Sequence, residues 1–261
     1  MIKAAFFDID GTLLSFRTHR VSEGTVRAFE RLHRAGVRTF ISSGRPDVLI
    51  PPMPVSFEGK ITMNGGLVFV GDHADEGGGT LLSHPIERRD SEAWLDYAEA
   101  HGFCTMVFTR DGMMMAQPNQ AGMMLREQLE FTMPPVVTIG EMRGHTAYQI
   151  IALMPEECDR EVQAMLPGCR LPRWHPAFTD IVATGISKAL GMEAICGHFG
   201  IRRDETLAIG DGANDVEMLQ WAGIGVAMGN ASDEVKRHAD MVTTDVDHEG
   251  IEHAIESILE R

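Results

Sequence analysis

The sequence has few cysteines and little positive charge. Cys104, Cys158, Cys169 and Cys196 are the only four cysteines in 261 residues. None stands in a Cys-x-x-Cys pair, so neither a zinc site nor a disulfide framework is indicated. The thiol usage is that of a reduced, cytoplasmic protein. Lysine and arginine number 23 against 38 aspartates and glutamates, a net charge of −15. Such a balance argues against nonspecific nucleic-acid or anionic-membrane binding. It leaves room for a small anionic substrate, because a bound metal and a few basic groups set the local field. No basic stretch precedes a long apolar segment, so neither a signal peptide nor a membrane span is expected. There is no internal repeat and no long low-complexity tract. The histidines form no His-x-His or His-Glu-x-x-His spacing, which removes the common zinc patterns.

What is present has the texture of a globular α/β chain, with 44% hydrophobic and 23% charged residues. The length suits one large domain or two modest ones. The first informative stretch is Ala4-Ala5-Phe6-Phe7-Asp8-Ile9-Asp10-Gly11-Thr12. A short apolar run ended by glycine reads as a buried parallel strand. Asp8 and Asp10 then fall at its carboxyl end, where open α/β sheets bind ligands. Two carboxylates that close resist full ionisation unless a cation lies between them. Mg²⁺ takes oxygen ligands of this kind. An isolated Asp-x-Asp is also a common solvated turn, and only its partners downstream decide between the two.

Those partners recur at the starts and ends of further predicted elements. Ser22 can cap a helix over Glu23–Ala35, closed by Gly36. A strand over Val37–Ser42 ends in Ser43-Gly44-Arg45, and Ile61–Met63 ends in Asn64-Gly65-Gly66. Leu67–Val70 follows as a flanking strand, then an acidic, glycine-rich turn over Gly71–Gly79. From about residue 84 the rhythm changes to hairpins and helices. Asp90 caps a predicted helix through Ala100, and Phe103–Thr109 and Met113–Ala116 form a hairpin about Asp111-Gly112. A helix over Asn119–Glu130, a strand over Tyr148–Met154, a helix over Pro155–Met165 and strands over Arg170–Trp174 and Phe178–Val182 complete this section. The βα rhythm resumes with a helix at Ser187–Phe199 carrying Lys188. A strand over Thr206–Ile209 then leads into Gly210-Asp211-Gly212-Ala213-Asn214-Asp215. Residues 1–83 and 185–261 are therefore expected to form one Rossmann-like core, interrupted by an α+β insert over 84–184. The methionines at 113–115 and 123–124 read as core filler, or as the lining of an adaptable pocket.

The order of these stations resembles the haloacid dehalogenase-like (HAD) phosphohydrolases, and within them the Cof-type group of subclass IIB. The resemblance rests on Asp8-Ile9-Asp10-Gly11-Thr12-Leu13-Leu14 and on Gly210-Asp211-Gly212-Ala213-Asn214-Asp215-Val216. It spans the chain and implies a Rossmann-like HAD core with a C2B-type cap inserted. One departure is Ser43, where the family usually carries threonine. A serine hydroxyl donates the same hydrogen bond.

The resemblance implies Asp8 as nucleophile, forming an aspartyl-phosphate, and Asp10 as general acid and then base. It implies Mg²⁺ held by Asp8, the Asp10 carbonyl and Asp211, with Asp215 as ligand or supporting group. Ser43 and Lys188 would bind the transferring phosphoryl oxygens, and Gly44 would lie beside them. Asn214 would orient Lys188 or a metal ligand. Arg45 could reach the phosphate or form a surface ion pair. Asn64 could face substrate or be a positive-φ turn residue. In the insert, Arg110, His145, Arg173 and His175 are the polar candidates for gripping a leaving group. The expected activity is Mg²⁺-dependent hydrolysis of small phosphate monoesters, sugar phosphates or similar metabolites. A phosphomutase or phosphotransferase shares the intermediate, and a phospho-accepting receiver or a non-catalytic metabolite-binding protein are the readings from other classes.

Overall fold

The computed structural model describes residues 1–71, 79–120, 122–124, 134–173 and 176–260. His175, most of the turn expected over Gly71–Gly79, most of the helix expected over Asn119–Glu130 and the end of the strand expected to reach Trp174 lie outside the described residues. The chain forms two compact units. One comprises Met1–Arg45, Pro51–Ser83 and Ser187–Arg261, and the other Pro46–Ile50 and His84–Ile186. Among the described residues no helix is long and apolar enough to cross a membrane.

The first unit begins with β1 (Ala4–Phe7), α1 (Glu23–Arg34), β2 (Arg38–Ser42), β3 (Gly59–Thr62), β4 (Leu67–Val70) and β5 (Thr80–Ser83). The second unit contributes α2 (Arg88–His101), β6 (Cys104–Phe108), β7 (Met113–Ala116), α3 (Ile139–Met142), β8 (Gln149–Leu153), α4 (Asp159–Met165), β9 (Cys169–Arg170) and β10 (Thr179–Ala183). The first unit then resumes with α5 (Lys188–Phe199), β11 (Thr206–Gly210), α6 (Val216–Trp221), β12 (Ile224–Ala227), α7 (Asp233–Lys236), β13 (Met241–Val242) and α8 (Gly250–Leu259).

The first unit's sheet runs β13-β12-β11-β1-β2-β3-β4-β5. It is parallel from β13 to β3, and β4 and β5 add an antiparallel edge. Strands buried on both faces need apolar residues throughout, and all four residues of β1 are buried. Phe6 and Phe7 point to opposite faces, as strand alternation requires. Phe6 packs in a layer with Phe40, Met192, Ile195, Met218 and Leu219. Phe7 meets Phe29 of α1, with ring centroids 4.7 Å apart. Helices thus cover both faces, and the carboxyl ends of β1, β2 and β11 are neighbours. Ser22 caps α1 as expected, accepting from the Thr25 N–H.

The second unit is an antiparallel sheet in the order β7-β6-β8-β10-β9. One face packs Val107, Ile150, Ala152 and Ile181 against Trp94, Leu95 and Ala98 of α2 and Val162 of α4. By alternation, Met106, Phe108, Gln149, Ile151 and Asp180 occupy the other face.

Several expectations are corrected here. Asp90 lies inside α2 rather than at its cap, and its carboxylate accepts from the Gly168 N–H at 2.9 Å. The helix expected from Pro155 begins as a single tight turn, Glu156–Cys158, before α4. The strand expected over Arg170–Trp174 is the short β9. Two elements went unread: β5, which pairs with β4, and α3, closed by a capping box between Thr138 and Glu141.

Candidate active site

The site is assembled by three strand ends and one helix start, all within the first unit. β1 delivers Asp8, whose N–H donates to the Ile209 carbonyl of β11 at 3.0 Å. The chain then turns at Gly11, with φ +82°, and a Cβ there would stand 2.3 Å from Asp211 Oδ2. Only glycine permits both that conformation and that approach. β2 delivers Ser43, which is buried, and its Oγ accepts from the Arg45 N–H at 3.0 Å. The hydroxyl proton therefore remains free to donate elsewhere. α5 delivers Lys188 from its first turn, behind the Ser187 cap.

Lys188 is fully buried, an arrangement that is costly unless the charge is paired. Its Nζ donates to Asp8 Oδ1 at 2.6 Å and to Asp215 Oδ1 at 2.5 Å. Burial works to neutralise the ammonium, but Asp215 and Asp8 outweigh it and raise its pKa. Asp215 is itself fully engaged, because its Oδ2 accepts from the Asp211 and Gly212 N–H groups at 3.0 and 2.8 Å. Asp211 Oδ1 accepts from Thr12 Oγ1 at 3.0 Å.

The carboxylates are held against their own charge. Burial, then Asp215, pushes Asp8 well above the usual carboxylate range despite Lys188. Burial and Asp215 push Asp211 up to about 7, with the Thr12 hydroxyl opposing. One oxygen each from Asp8, Asp211 and Asp215 lies within 4.8 Å of the others. An all-oxygen, anionic set of this size fits a hard divalent cation such as Mg²⁺ and does not fit a soft metal. Since Asp215 is committed to Lys188 and two amides, Asp8 and Asp211 have the freer oxygens.

Asp10 stands apart from this cluster. Arg45 grips it with two parallel hydrogen bonds, Nε to Oδ2 at 2.8 Å and Nη2 to Oδ1 at 2.7 Å. The Arg45 guanidinium, half-buried, keeps its charge because Asp10 outweighs burial. Asn64 is a positive-φ turn residue, at φ 56°. Its Oδ1 accepts from Asn214 Nδ2 at 2.9 Å, so Asn214 is tied to Asn64 and not to Lys188.

The structure thus brings together Asp8, Lys188, Asp211 and Asp215, pairs Asp10 with Arg45, and pairs Asn64 with Asn214. The Asn64 N–H donates to the Ser43 carbonyl at 3.0 Å, which ties that pair to the end of β2. In the second unit, Arg173 is committed to Asp159 through two hydrogen bonds of 2.7 and 2.5 Å. His145 is exposed, and Arg110 is half-buried at the β6–β7 hairpin. From the sequence alone Thr12 is only part of a turn. A hydroxyl directly after the glycine of an acidic turn was the signal for its contact with Asp211.

Comparison with known proteins agrees with this geometry. Residues 5–255 match the family model for haloacid dehalogenase-like hydrolases. YkrA of Bacillus subtilis, a phosphatase by name, is 30% identical over 260 residues, covering 98% of this chain and 97% of that protein. The solved structure of the HAD subclass IIB sugar phosphatase BT4131 is 36% identical, covers 98% of both chains and superposes with a TM-score of 0.87. That of the HAD phosphatase BT1666 from Bacteroides thetaiotaomicron is 34% identical, covers 98% of this chain and 95% of its own, and has a TM-score of 0.88. The chain belongs to the haloacid dehalogenase-like hydrolases, in their Cof-type, subclass IIB group of phosphatases.

Proposed function

We propose that this phosphatase is Mg²⁺-dependent, takes small phosphate monoesters such as sugar phosphates, and works through a phosphorylated Asp8. The observation that carries this reading is the contact of Asp8 Oδ1 with Lys188 Nζ at 2.6 Å, at a strand end beside Asp211. A phosphate ester repels an attacking anion, so the reaction depends on positioned positive charge. Mg²⁺, held by Asp8 and Asp211 with Asp215 behind them, would supply part of that charge. Lys188 supplies another part and aims Asp8. The Ser43 hydroxyl donates to a phosphoryl oxygen.

An Asp8 carboxylate oxygen attacks phosphorus while the bond to the leaving oxygen breaks. Asp10 gives that oxygen its proton. Asp10 then takes a proton from water, whose oxygen attacks phosphorus and expels Asp8. Arg45 occupies both Asp10 oxygens with hydrogen bonds, so Asp10 has to exchange Arg45 for the leaving group before it can act on it. The phosphotransferase alternative differs only in the acceptor, a second hydroxyl in place of water.

The second unit is the proposed specificity cap. The face of its sheet opposite α2 carries the buried Met106, Phe108 and Ile151 with three polar residues, Gln149, Asp180 and Arg170. Gln149 Oε1 is buried and has no hydrogen-bond partner among the described residues. A buried acceptor without a partner costs about 1–3 kcal/mol, which makes Gln149 the proposed substrate-reading group of the second unit. BT4131, a sugar phosphatase, supports sugar phosphates as the substrate class.

The test is release of inorganic phosphate from a panel of sugar phosphates and from p-nitrophenyl phosphate. Asp8→Asn should fall by about 10⁴-fold or more while keeping its fold, and exhaustive EDTA treatment should abolish turnover. Full turnover in EDTA would remove the metal, and substantial activity of D8N, with deamidation excluded, would move the nucleophile elsewhere. Isomerised sugar phosphate in place of free phosphate would favour the transferase.

A further inference from the structure

We propose that Asn230 is a positioning residue that holds the Asp211 carboxylate in orientation for a divalent cation and locks it to the turn that follows Asp8. The inference rests on the metal reading given above. Asn230 lies in the turn after β12, and every polar group of its amide is used. Nδ2 donates to the Gly11 carbonyl and to Asp211 Oδ2, both at 2.9 Å. Oδ1 accepts from the Val246 N–H at 3.0 Å. These partners fix which end of the amide is which. An N–H can meet only the oxygen, while a carbonyl and a carboxylate can meet only the nitrogen.

The consequence falls on Asp211. Thr12 holds its Oδ1 and Asn230 holds its Oδ2, so both oxygens are gripped and the plane of the carboxylate is set. Both grips are neutral. A lysine or arginine in place of Asn230 would orient the carboxylate equally well but would repel an incoming cation. An amide supplies direction without opposing charge. The same amide spans the two loops that carry the site, since Gly11 follows Asp8 on β1 and Asp211 follows β11. The glycine at position 11 allows the close approach that one bridging amide needs. Asn230 itself is exposed, so its truncation leaves no cavity.

The test uses Asn230→Ala in the full chain. Mn²⁺ binding to the substrate-free protein is followed by electron paramagnetic resonance, with Mg²⁺ competition, and thermal unfolding is measured alongside. Supporting groups around a metal contribute about 10–100-fold in affinity. We expect Mn²⁺ affinity to weaken about tenfold and half-maximal activation to shift to correspondingly higher Mg²⁺. Turnover at saturating Mg²⁺ should change much less, and the unfolding temperature in EDTA should stay close to native. Asn230→Ser, which keeps a polar surface but cannot reach both partners, should behave the same way and stands in if the alanine variant fails to fold. Native Mn²⁺ affinity in both variants overturns the proposal, as does a loss of affinity matched by a lower unfolding temperature in EDTA. If the native protein itself binds no Mn²⁺, the metal reading and this inference fall together. If it binds and the variants bind equally well, only this inference falls.

Discussion

At the scale of single residues, the site is a set of charges that disfavour one another until a cation joins them. Asp211 makes this measurable. Its carboxyl is raised to about 7 by burial and by Asp215. A carboxyl raised on folding stabilises the native state while it is protonated. Without metal that contribution is present below the unfolded value near 3.8 and is lost as pH rises through about 7. Cation binding has the opposite pH dependence, because it needs the ionised form and displaces the proton. The gain in urea midpoint on adding Mg²⁺ should therefore be larger at pH 8 than at pH 5. An equal gain at both values, or none at pH 8, would count against Asp211 as a ligand. In the sequence Asp8, Asp10 and Asp211 stand out at the ends of apolar runs close to a glycine, and Asp215 stands out only as part of the acidic turn that begins at Asp211. Asn230 does not. It bonds Gly11 across 219 positions of sequence, and nothing local marks a surface asparagine for that contact.

At the scale of elements, the start of α5 does two jobs. It caps a helix and it places Lys188. Ser187 Oγ accepts from the Leu190 N–H at 3.2 Å. The same residue's backbone is met by the turn at Gly65, where a Cβ would stand 2.2 Å from the Ser187 carbonyl oxygen. The helix start is thus located by packing as well as by its cap. Ser187→Ala should lower stability by about 1 kcal/mol, seen as a lower urea midpoint at unchanged slope. Its turnover should stay within about threefold of native. A hundredfold loss of activity would mean that the cap, and not the packing, positions Lys188.

Elements bounded by glycine or paired turn residues were readable, and β4 and β7 run as the pattern indicated. β5 was hidden because its apolar content is two leucines after a long acidic, glycine-rich run. Asp90 misled because an aspartate before an apolar helix signals a cap, whereas here its partner is Gly168, far along the chain.

At the scale of the whole molecule, the proposed function puts chemistry in the first unit and selection in the second, so substitution should separate the two. Gln149→Leu replaces a side chain whose buried Oε1 has no partner among the described residues with an apolar one of similar size. It should raise stability by about 1 kcal/mol. Discrimination between sugar phosphates and p-nitrophenyl phosphate, as a ratio of kcat/KM, should fall about tenfold or more. The rate on the aryl ester should hardly change. Greater stability with intact discrimination would place substrate reading on other residues. The change from βα rhythm to hairpins is the sequence signal for an insert, whereas nothing in the sequence marks Pro46–Ile50, which groups with the second unit. Gln149 was not marked as special, because one polar residue at the beginning of an apolar strand is ordinary.

The central position of β1 also bears on how the protein is made. β1 pairs with β2 on one side and with β11 on the other. During synthesis the first partner emerges almost at once, while the second follows only after the whole insert. Until then one edge of an apolar parallel strand has no neighbour, and such edges recruit strands from other chains. The insert, with an apolar core of its own, can close while that edge waits. A chain that ends before Thr206 should therefore leave the β11-facing edge of β1 unpaired and prone to recruit other strands.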